Sequence, residues 1–336
     1  MFYRESGQFK TSYSEDMVIF PLVQDRWAVT AMAVAAALVP LFLPAVVGAA
    51  SADRWFAILI QILYLSAAAL GLNILAGYAG LISLGHAGFM AVGAYTAYNL
   101  SARLDLPILV SFFGGGLMAA LVGLIFGLPS LRIKGFYLLV STLAAQFTIE
   151  WVINHVPWIS GDNVLGAIDT PPMIILGMNI DTPGRKYLLS LFVVLVLALF
   201  AKNLVRSEVG RSWMAVRDRD IAAEIIGISL FRVKILAFAV SSFYAGVAGA
   251  LVAFCYLGSV QITEFELVVS FQILGMIIIG GLGSILGSFL GAAFFALLPI
   301  FINEYLPIFI PNVRSDLKAS LELVAFGGLI IFFLIV

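Results

Sequence analysis

Apolar segments close to the length of a membrane-spanning helix recur along almost the whole chain, and this pattern constrains the fold more than any other feature. Of the 336 residues, 62% are hydrophobic and 11% are charged. Soluble domains contain about 45–50% apolar and about 25% charged residues. A soluble fold could not bury this much apolar surface, so the sequence predicts an all-α polytopic membrane protein.

Ten segments predict membrane-spanning helices, within a range of 8 to 10 for the whole chain. A helix needs about 20 apolar residues to cross a bilayer. Two segments, 187–201 and 268–281, are short, and the second fits one half of a re-entrant hairpin. The predicted spans are 27–48, 55–78, 83–101, 107–129, 135–156, 187–201, 235–258, 268–281, 284–302 and 319–336.

The distribution of Lys and Arg predicts the orientation of these spans. With the N-terminus in the cytoplasm, the inner segments hold 12 of the 18 Lys and Arg residues and the outer segments hold six. Cytoplasmic loops carry the excess of positive charge, so both termini are predicted to lie inside. Residues 1–26 then form a cytoplasmic tail and residues 27–336 the transmembrane domain. Because the chain stops within an apolar run at Val336, we expect the natural C-terminus to extend further.

A charged segment, residues 202–234, interrupts the apolar pattern and holds seven of the 18 Lys and Arg residues. Such a basic island between two spans marks a cytoplasmic loop. Its middle predicts a helix within 212–227, because Asp218 or Asp220 can cap an N-terminus and Gly227 stands where a helix would stop. An ordered helix on this side of a membrane bundle needs a partner to pack against.

Residues 157–186 form the longest segment predicted to lie outside the cytoplasm. Their mixture of Pro, Asp and Gly is typical of an ordered loop outside lipid. Two interpretations stay open: a surface that receives a soluble partner, or a solvated connector.

Two stretches, 71–95 and 275–292, are rich in glycine. Glycines at this density let helices approach closely and let the backbone bend. A Gly-Leu-x-Ser core occurs in both, at 80–83 and 281–284. The recurrence fits two related halves, a common plan of transporters, or a chance similarity of glycine-rich sequences.

Polar side chains within the predicted spans are few, and they are the candidates for a solute path. Gln146, Glu150 and Asn154 follow each other at intervals of four, which places them on one helix face. Such a stripe predicts either a hydrated path or hydrogen bonds between helices. His86 lies beside glycines, which favours a packing or turn residue over a proton carrier. The candidate path residues are Asn73, Ser83, His86, Gln146, Glu150 and Gln272.

Motifs for catalysis are missing from the sequence. It contains no phosphate-binding loop of the G-x-x-x-x-G-K-[ST] type, no H-E-x-x-H and no G-x-S-x-G. Its two histidines and one cysteine stand at scattered positions and provide neither a nucleophile–base pair nor a metal set. We therefore predict no catalytic residue, no metal and no cofactor. Energy for any transport must then come from a source outside this chain. The charged segment is the candidate site at which that source acts.

Four separated blocks of the chain carry a resemblance to a known family. They are residues 70–97, 210–229, 234–251 and 270–292, beginning LGLNILAGYAGLISLGHAGF, GRSWMAVRDRDIAAEIIGIS, KILAFAVSSFYAG and SFQILGMIIIGGLGS. In this order they resemble the permease subunits of branched-chain amino acid ABC importers, on the LivM-like side of the heterodimer. The resemblance implies a multi-pass protein of the bacterial inner membrane. It also implies a LivH-like second permease, two ATP-binding cassette ATPase subunits and a periplasmic substrate-binding protein as partners, and no nucleic acid.

The charged segment resembles the importer signature in which two alanines precede a glycine by a fixed gap. Here these residues are Ala222, Ala223 and Gly227. Ile221 stands where an acidic residue is usual, and Asp220 lies one position earlier. The implied role is a coupling helix docked in an ATPase groove. The candidate coupling residues are Arg211, Arg217, Asp220, Ala222, Ala223, Glu224 and Gly227.

Two departures from the family pattern leave the cargo open. Phe136 follows the glycine of LRIKGFY where the family often has Asp, and the outer loop reads SGDNVLG at 160–166 instead of T-G-G-x-x-G. Relatives carry urea, amides or aromatic acids as well as branched-chain amino acids. A different class, a self-contained secondary transporter or channel, is the alternative function. In that case, residues 212–227 would be a plain connector.

Overall fold

The computed structural model describes residues 23–130, 136–161, 168–175, 178–309 and 315–335. Within these ranges the chain is helical, with four short strands. The α-helices of six or more residues are α1 (Val23–Val47), α2 (Ala49–Asn73), α3 (His86–Leu104), α4 (Ile108–Ser130), α5 (Phe136–His155), α6 (Pro183–Arg206), α7 (Glu208–Asp218), α8 (Asp220–Ile225), α9 (Leu230–Leu251), α10 (Leu267–Gly280), α11 (Ile285–Phe309) and α12 (Ser315–Ile335).

A long helix overlaps each of the ten segments that the sequence predicts to span the membrane. Among the described residues, seven helices are long and apolar enough to cross a membrane. An eighth apolar helix, Val324–Phe333 within α12, is shorter. The all-α polytopic architecture is thereby confirmed. The number of crossings and the cytoplasmic placement of both termini stay predictions.

The boundaries predicted around α6 are wrong at both ends. The helix has 24 residues and runs from Pro183 to Arg206, well beyond the apolar stretch 187–201. Pro183 occupies the first turn, where its fixed backbone angle suits a helix start. Residues 183–186 and 202–206 are therefore helical, and they extend α6 into both neighbouring segments.

The core is built where α3, α4 and α9 approach each other through glycine. A Cβ atom on Gly249 would overlap the backbone of Met90, and one on Gly93 would overlap the backbone of Gly246. Main chain therefore lies directly against main chain at these crossings, which no larger residue would permit. The expectation of close helix approach through the glycines of 71–95 is confirmed at Gly93.

Two helices of the bundle end in a wide π-turn. α2 continues as Ile74–Tyr78 and α9 as Val252–Leu257. Such turns inside helices often mark functional positions. The first π-turn leads directly into the Gly-Leu-x-Ser segment at 80–83, which is part of the site described below.

The four strands lie in and next to the predicted outer loop. β1 (Ile168–Asp169) pairs antiparallel with β4 (Ser259–Val260), and β2 (Ile174–Ile175) pairs with β3 (Met178–Asn179). The β1–β4 pair ties this loop to the segment that follows α9. Residues 162–166 of the SGDNVLG segment, most of LRIKGFY, and nearly all of the tail 1–26 lie outside the described residues.

Candidate coupling site

Where the sequence predicts a single helix within 212–227, the charged segment contains two complete helices. α7 and α8 are separated at Arg219, which adopts an extended conformation with φ −154° and ψ 97°. Arg219 therefore occupies the N-cap position of α8, and the predicted capping by Asp218 or Asp220 is wrong. The Asp220 carboxylate instead accepts a hydrogen bond from the adjacent amide of Ile221 at 2.9 Å.

Gly227 ends α8 as predicted. Its φ of +92° lies in the left-handed region that favours glycine. Its amide donates to the carbonyl of Glu224 at 3.0 Å, and the next amide, of Ile228, donates to Ala223 at 3.0 Å. These bonds satisfy carbonyl groups that a helix end leaves free.

Trp213 anchors α7 to the membrane bundle. Its side chain is fully buried, and its Nε1–H donates to the carbonyl of Val233, near the start of α9, at 3.0 Å. Gly210 and Val216 of the same helix are also buried. Sequence reasoning missed this residue. The available signal was a large aromatic side chain in an otherwise charged and polar helix.

An apolar surface is exposed on the charged segment. The side chains of Ile221, Ile225 and Ile226 are 67%, 80% and 74% exposed, and we call them the isoleucine patch. Exposed apolar groups of this kind mark interaction sites when they cluster. Of the two alanines in the signature, Ala222 is exposed beside the patch and Ala223 is buried.

The Arg217 side chain, 38% exposed, reaches the glycine-rich core of the first stretch. Its Nη1 donates to the carbonyl of Gly77 at 2.7 Å. Its Nε and Nη2 donate to one carboxylate oxygen of Asp218 at 3.0 and 2.9 Å. Gly80 has a φ of +70°, and a Cβ there would lie 2.9 Å from the Arg217 Cγ. The arginine thus packs on the turn that leads into α3.

Asn73 joins the two glycine-rich stretches. Its side chain is buried, and its Nδ2 donates to the Ser284 carbonyl at 2.8 Å and to the Ser288 hydroxyl at 2.9 Å. Its Oδ1 accepts from the Gly283 amide at 2.8 Å. The end of α2 is therefore bonded to the turn between α10 and α11, more than 200 residues away in the chain.

Three other candidate path residues are buried and hydrogen-bonded within the bundle. His86 Nε2 donates to the Ala68 carbonyl at 3.0 Å. Ser83 accepts a hydrogen bond from the Gly85 amide at 3.4 Å. The Gln146 amide group contacts both α3 and the segment before α10. Their part in a solute path stays a prediction.

Glu150 and Gln272 differ from these buried candidates, because both side chains are half-buried. Along α5 the predicted stripe passes from buried Gln146 through Glu150 to exposed Asn154. The three residues thus lie along one helix, as predicted, and their exposure increases from Gln146 to Asn154. Within the described ranges, no group of three or more His, Cys, Asp or Glu side chains is placed to hold a metal ion.

The remaining candidate coupling residues are spread over the outer surface of α7 and α8. Arg211 is exposed, and its Nη1 donates to the Arg206 carbonyl at 3.0 Å. Glu224 is exposed and Asp220 is half-buried. The structure thus brings Ala222 and Glu224 next to the isoleucine patch and places Arg217 against the bundle.

Comparison with known proteins places this architecture in a family. The model of the branched-chain amino acid transport system permease component matches residues 54–334. The chain belongs to this permease family. The matched region includes both glycine-rich stretches and the whole charged segment.

Individual relatives are permease proteins of several importers. The chain is 34% identical to the high-affinity branched-chain amino acid transport system permease protein LivM of Escherichia coli K12 over 238 residues, 64% of this chain and 56% of that protein. It is 27% identical to the autoinducer 2 import system permease protein LsrC of Enterobacter sp. 638 over 213 residues, 62% and 58% of the two chains. The chain thus spans somewhat over half the length of these relatives. No solved structure matches it.

Proposed function

We propose that this chain is the transmembrane permease subunit of an ATP-driven importer, in which partner subunits hydrolyse ATP. The observation that carries the proposal is the isoleucine patch of α8, exposed on the charged segment of a permease-family chain. A transporter that used only an ion gradient would not need such a surface. The cargo proposed is a branched-chain amino acid or a related small polar or organic-acid solute.

The proposed assembly contains a LivH-like second permease, two ATP-binding cassette subunits and a periplasmic binding protein in a bacterial inner membrane. The excess of Lys and Arg in the charged segment supports a cytoplasmic position for α7 and α8. We place the termini in the cytoplasm, residues 157–186 at the periplasmic side and residues 202–234 at the ATPase side. We also propose about ten crossings, an even number that returns both termini to the same side.

At the ATPase interface, we propose that the isoleucine patch enters an apolar groove, with Ala222 and Glu224 beside it. The small side chain of Ala222 lets the helix approach the groove closely. Ala223 is buried within this chain and supports α8 from behind. Desolvation of the isoleucines supplies the binding energy, because burial of apolar surface is favourable by about 25 cal/mol per Å².

For the solute path, we propose that Glu150 and Gln272 supply polar contacts, since both are partly accessible. The buried candidates Asn73, Ser83, His86 and Gln146 then hold the surrounding segments in place. A path with so few polar groups leaves selection of the cargo mainly to the binding protein.

The test compares Ile225→Asp with the matched variant Ile225→Leu in the full assembly. A buried charge without a partner is costly, so Ile225→Asp should lower co-purification of the ATPase subunits by about tenfold or more, equivalent to about 1.4 kcal/mol. Ile225→Leu keeps the apolar contact and should behave as wild type. ATPase binding and transport unchanged in Ile225→Asp would contradict the proposal. Uptake by the purified chain alone, driven by an ion gradient, would favour a secondary transporter.

A further inference from the structure

The turns within the two glycine-rich stretches lie side by side, and their backbones touch at one place. We call residues 77–83 the first glycine turn and residues 281–284 the second. A Cβ atom on Gly77 would overlap both the Asn73 side chain and the backbone of Gly283. A Cβ on Gly283 would lie 3.5 Å from the Gly77 carbonyl oxygen and 3.6 Å from Arg217 Nη1. Gly77, Gly283 and the Arg217 guanidinium therefore meet at one place.

Arg217 binds a carbonyl in the π-turn that continues α2 to its C-terminal end. The last carbonyl groups of a helix have no partner within it and carry partial negative charge. A guanidinium group is always charged and supplies directional donors, so it suits the Gly77 carbonyl, 2.7 Å away. Asp218 holds the other edge of the guanidinium. Because Asp218 is largely exposed, this ion pair orients the arginine and contributes little stability of its own.

Asn73 extends the connection from the first turn to the second. Its three hydrogen bonds all end on residues 283–288. An amide whose donor and acceptor groups are bonded in a buried site rotates only if several bonds break together. A movement of the end of α2 is therefore passed to the turn between α10 and α11.

We propose that Arg217 and Asn73 form a mechanical link, in which motion of α7 and α8 is transmitted to both glycine turns. Arg217 connects α7 to the first turn, and Asn73, which ends α2 and packs against Gly77 of that turn, is hydrogen-bonded to the second. Both are positioning residues that contact neither the ATPase nor the solute. The inference rests on the proposed function, because it assumes that an ATPase moves α8. It assigns Arg217 to the membrane side of the charged segment and removes it from the ATPase interface.

Transport coupling distinguishes this link from a docking role. In the full assembly reconstituted in liposomes, Arg217→Gln should bind the ATPase subunits as wild type does. The amount of solute moved per ATP hydrolysed should fall about tenfold, within the range typical of coupling between two sites. Arg217→Lys keeps a cationic donor and should retain most of the coupling. Arg232→Gln removes an exposed arginine near the start of α9 and serves as the control for loss of charge.

A distance measurement reads the link directly. Ile82 and Leu282 are exposed, one on each glycine turn, and Cys255 is buried and can be replaced by Ala. If the link holds, spin labels on Ile82→Cys and Leu282→Cys should keep their distances to a label on the exposed start of α7, at Glu208→Cys, when ATP binds, because the turns move with α7. In the Arg217→Gln background these distances should change on ATP binding, because the two turns would no longer follow α7.

The possible outcomes separate the two proposals. Loss of ATPase binding in Arg217→Gln, to the extent seen in Ile225→Asp, would place Arg217 in the docking interface and overturn the link. Wild-type coupling in Arg217→Gln would also overturn it. If Arg217→Gln does not fold, the spin-label distances in Arg217→Lys decide. The link predicts that the turns still move with the charged segment in that variant, because lysine keeps a cationic donor. If ATPase binding survives Ile225→Asp, docking through the isoleucine patch is contradicted. The spin-label distances still test the link, because they do not depend on that patch.

Discussion

Gln146 of α5 accepts a hydrogen bond from the backbone amide of Gly88 at 2.5 Å, within the first turn of α3. The same side chain donates through Nε2 to the carbonyl of Phe265 at 2.8 Å. One buried amide thus satisfies two backbone groups from different segments. Ser270 and Thr142 act similarly on the amides of Ala87 and Leu84. The start of α3 is held by side chains of neighbouring helices because the amides of a first turn have no partner in their own helix.

Replacing Gln146 by Leu should destabilise the protein without altering its surface. The Gly88 amide and the Phe265 carbonyl would both lose a partner, and each unsatisfied buried group costs about 1–3 kcal/mol. Thermal unfolding in detergent measures the effect. Thr148→Val, on the exposed face of the same helix, should change stability by less than about 0.5 kcal/mol. Unchanged stability with altered transport in Gln146→Leu would instead favour a position in the solute path.

The accessibility of α5 can be tested with single cysteines in a Cys255→Ala background. If Glu150 lines the proposed path, Glu150→Cys should react with a water-soluble maleimide, because its half-buried side chain would then border water. Gln146→Cys should be protected, because Gln146 is 1% exposed. Protection at position 150 in every nucleotide state would remove Glu150 from the proposed path.

Trp213→Ala should release α7 from the bundle. Removing a buried tryptophan costs about 3–5 kcal/mol, and here the Val233 carbonyl also loses its donor. We expect trypsin to cleave faster after Arg219, which lies in the extended link before α8. Trp213→Phe keeps most of the apolar contact and should show a smaller increase. Equal cleavage rates in wild type and Trp213→Ala would show that α7 is held by other contacts.

Gly249→Ala should be poorly tolerated, because an added methyl group would meet the backbone of Met90. Overpacking of a tight interior costs about 1–3 kcal/mol. Gly327, in α12, has nothing within 4 Å of the position of a Cβ atom, so Gly327→Ala is the matched control. The midpoint of thermal unfolding should fall for Gly249→Ala and stay within error for Gly327→Ala. An equal response of the two variants would mean that α3 and α9 can separate without cost.

Several features of the fold and the candidate site could be predicted from residues close together in the chain. The end of α8 at Gly227 followed from a glycine that tolerates positive φ. The predicted ends of α6 were wrong. The helix continues through polar residues at both ends, and a search for apolar spans leaves such residues out. The predicted cap of α8 was wrong because the backbone break falls at Arg219, so Asp218 still belongs to α7 and Asp220 already belongs to α8.

By itself, the sequence determined the helical membrane architecture, the charged segment and the glycine-rich stretches, since hydropathy, charge and backbone freedom are local properties. Only the tertiary structure decided that Asn73 bonds to Gly283 and Arg217 to Gly77, across 210 and 140 positions of the chain. It also decided that Ala223 is buried while Ile225 is exposed. Such pairings depend on which helix faces meet, and helix packing is a property of the whole bundle that no short stretch of sequence contains.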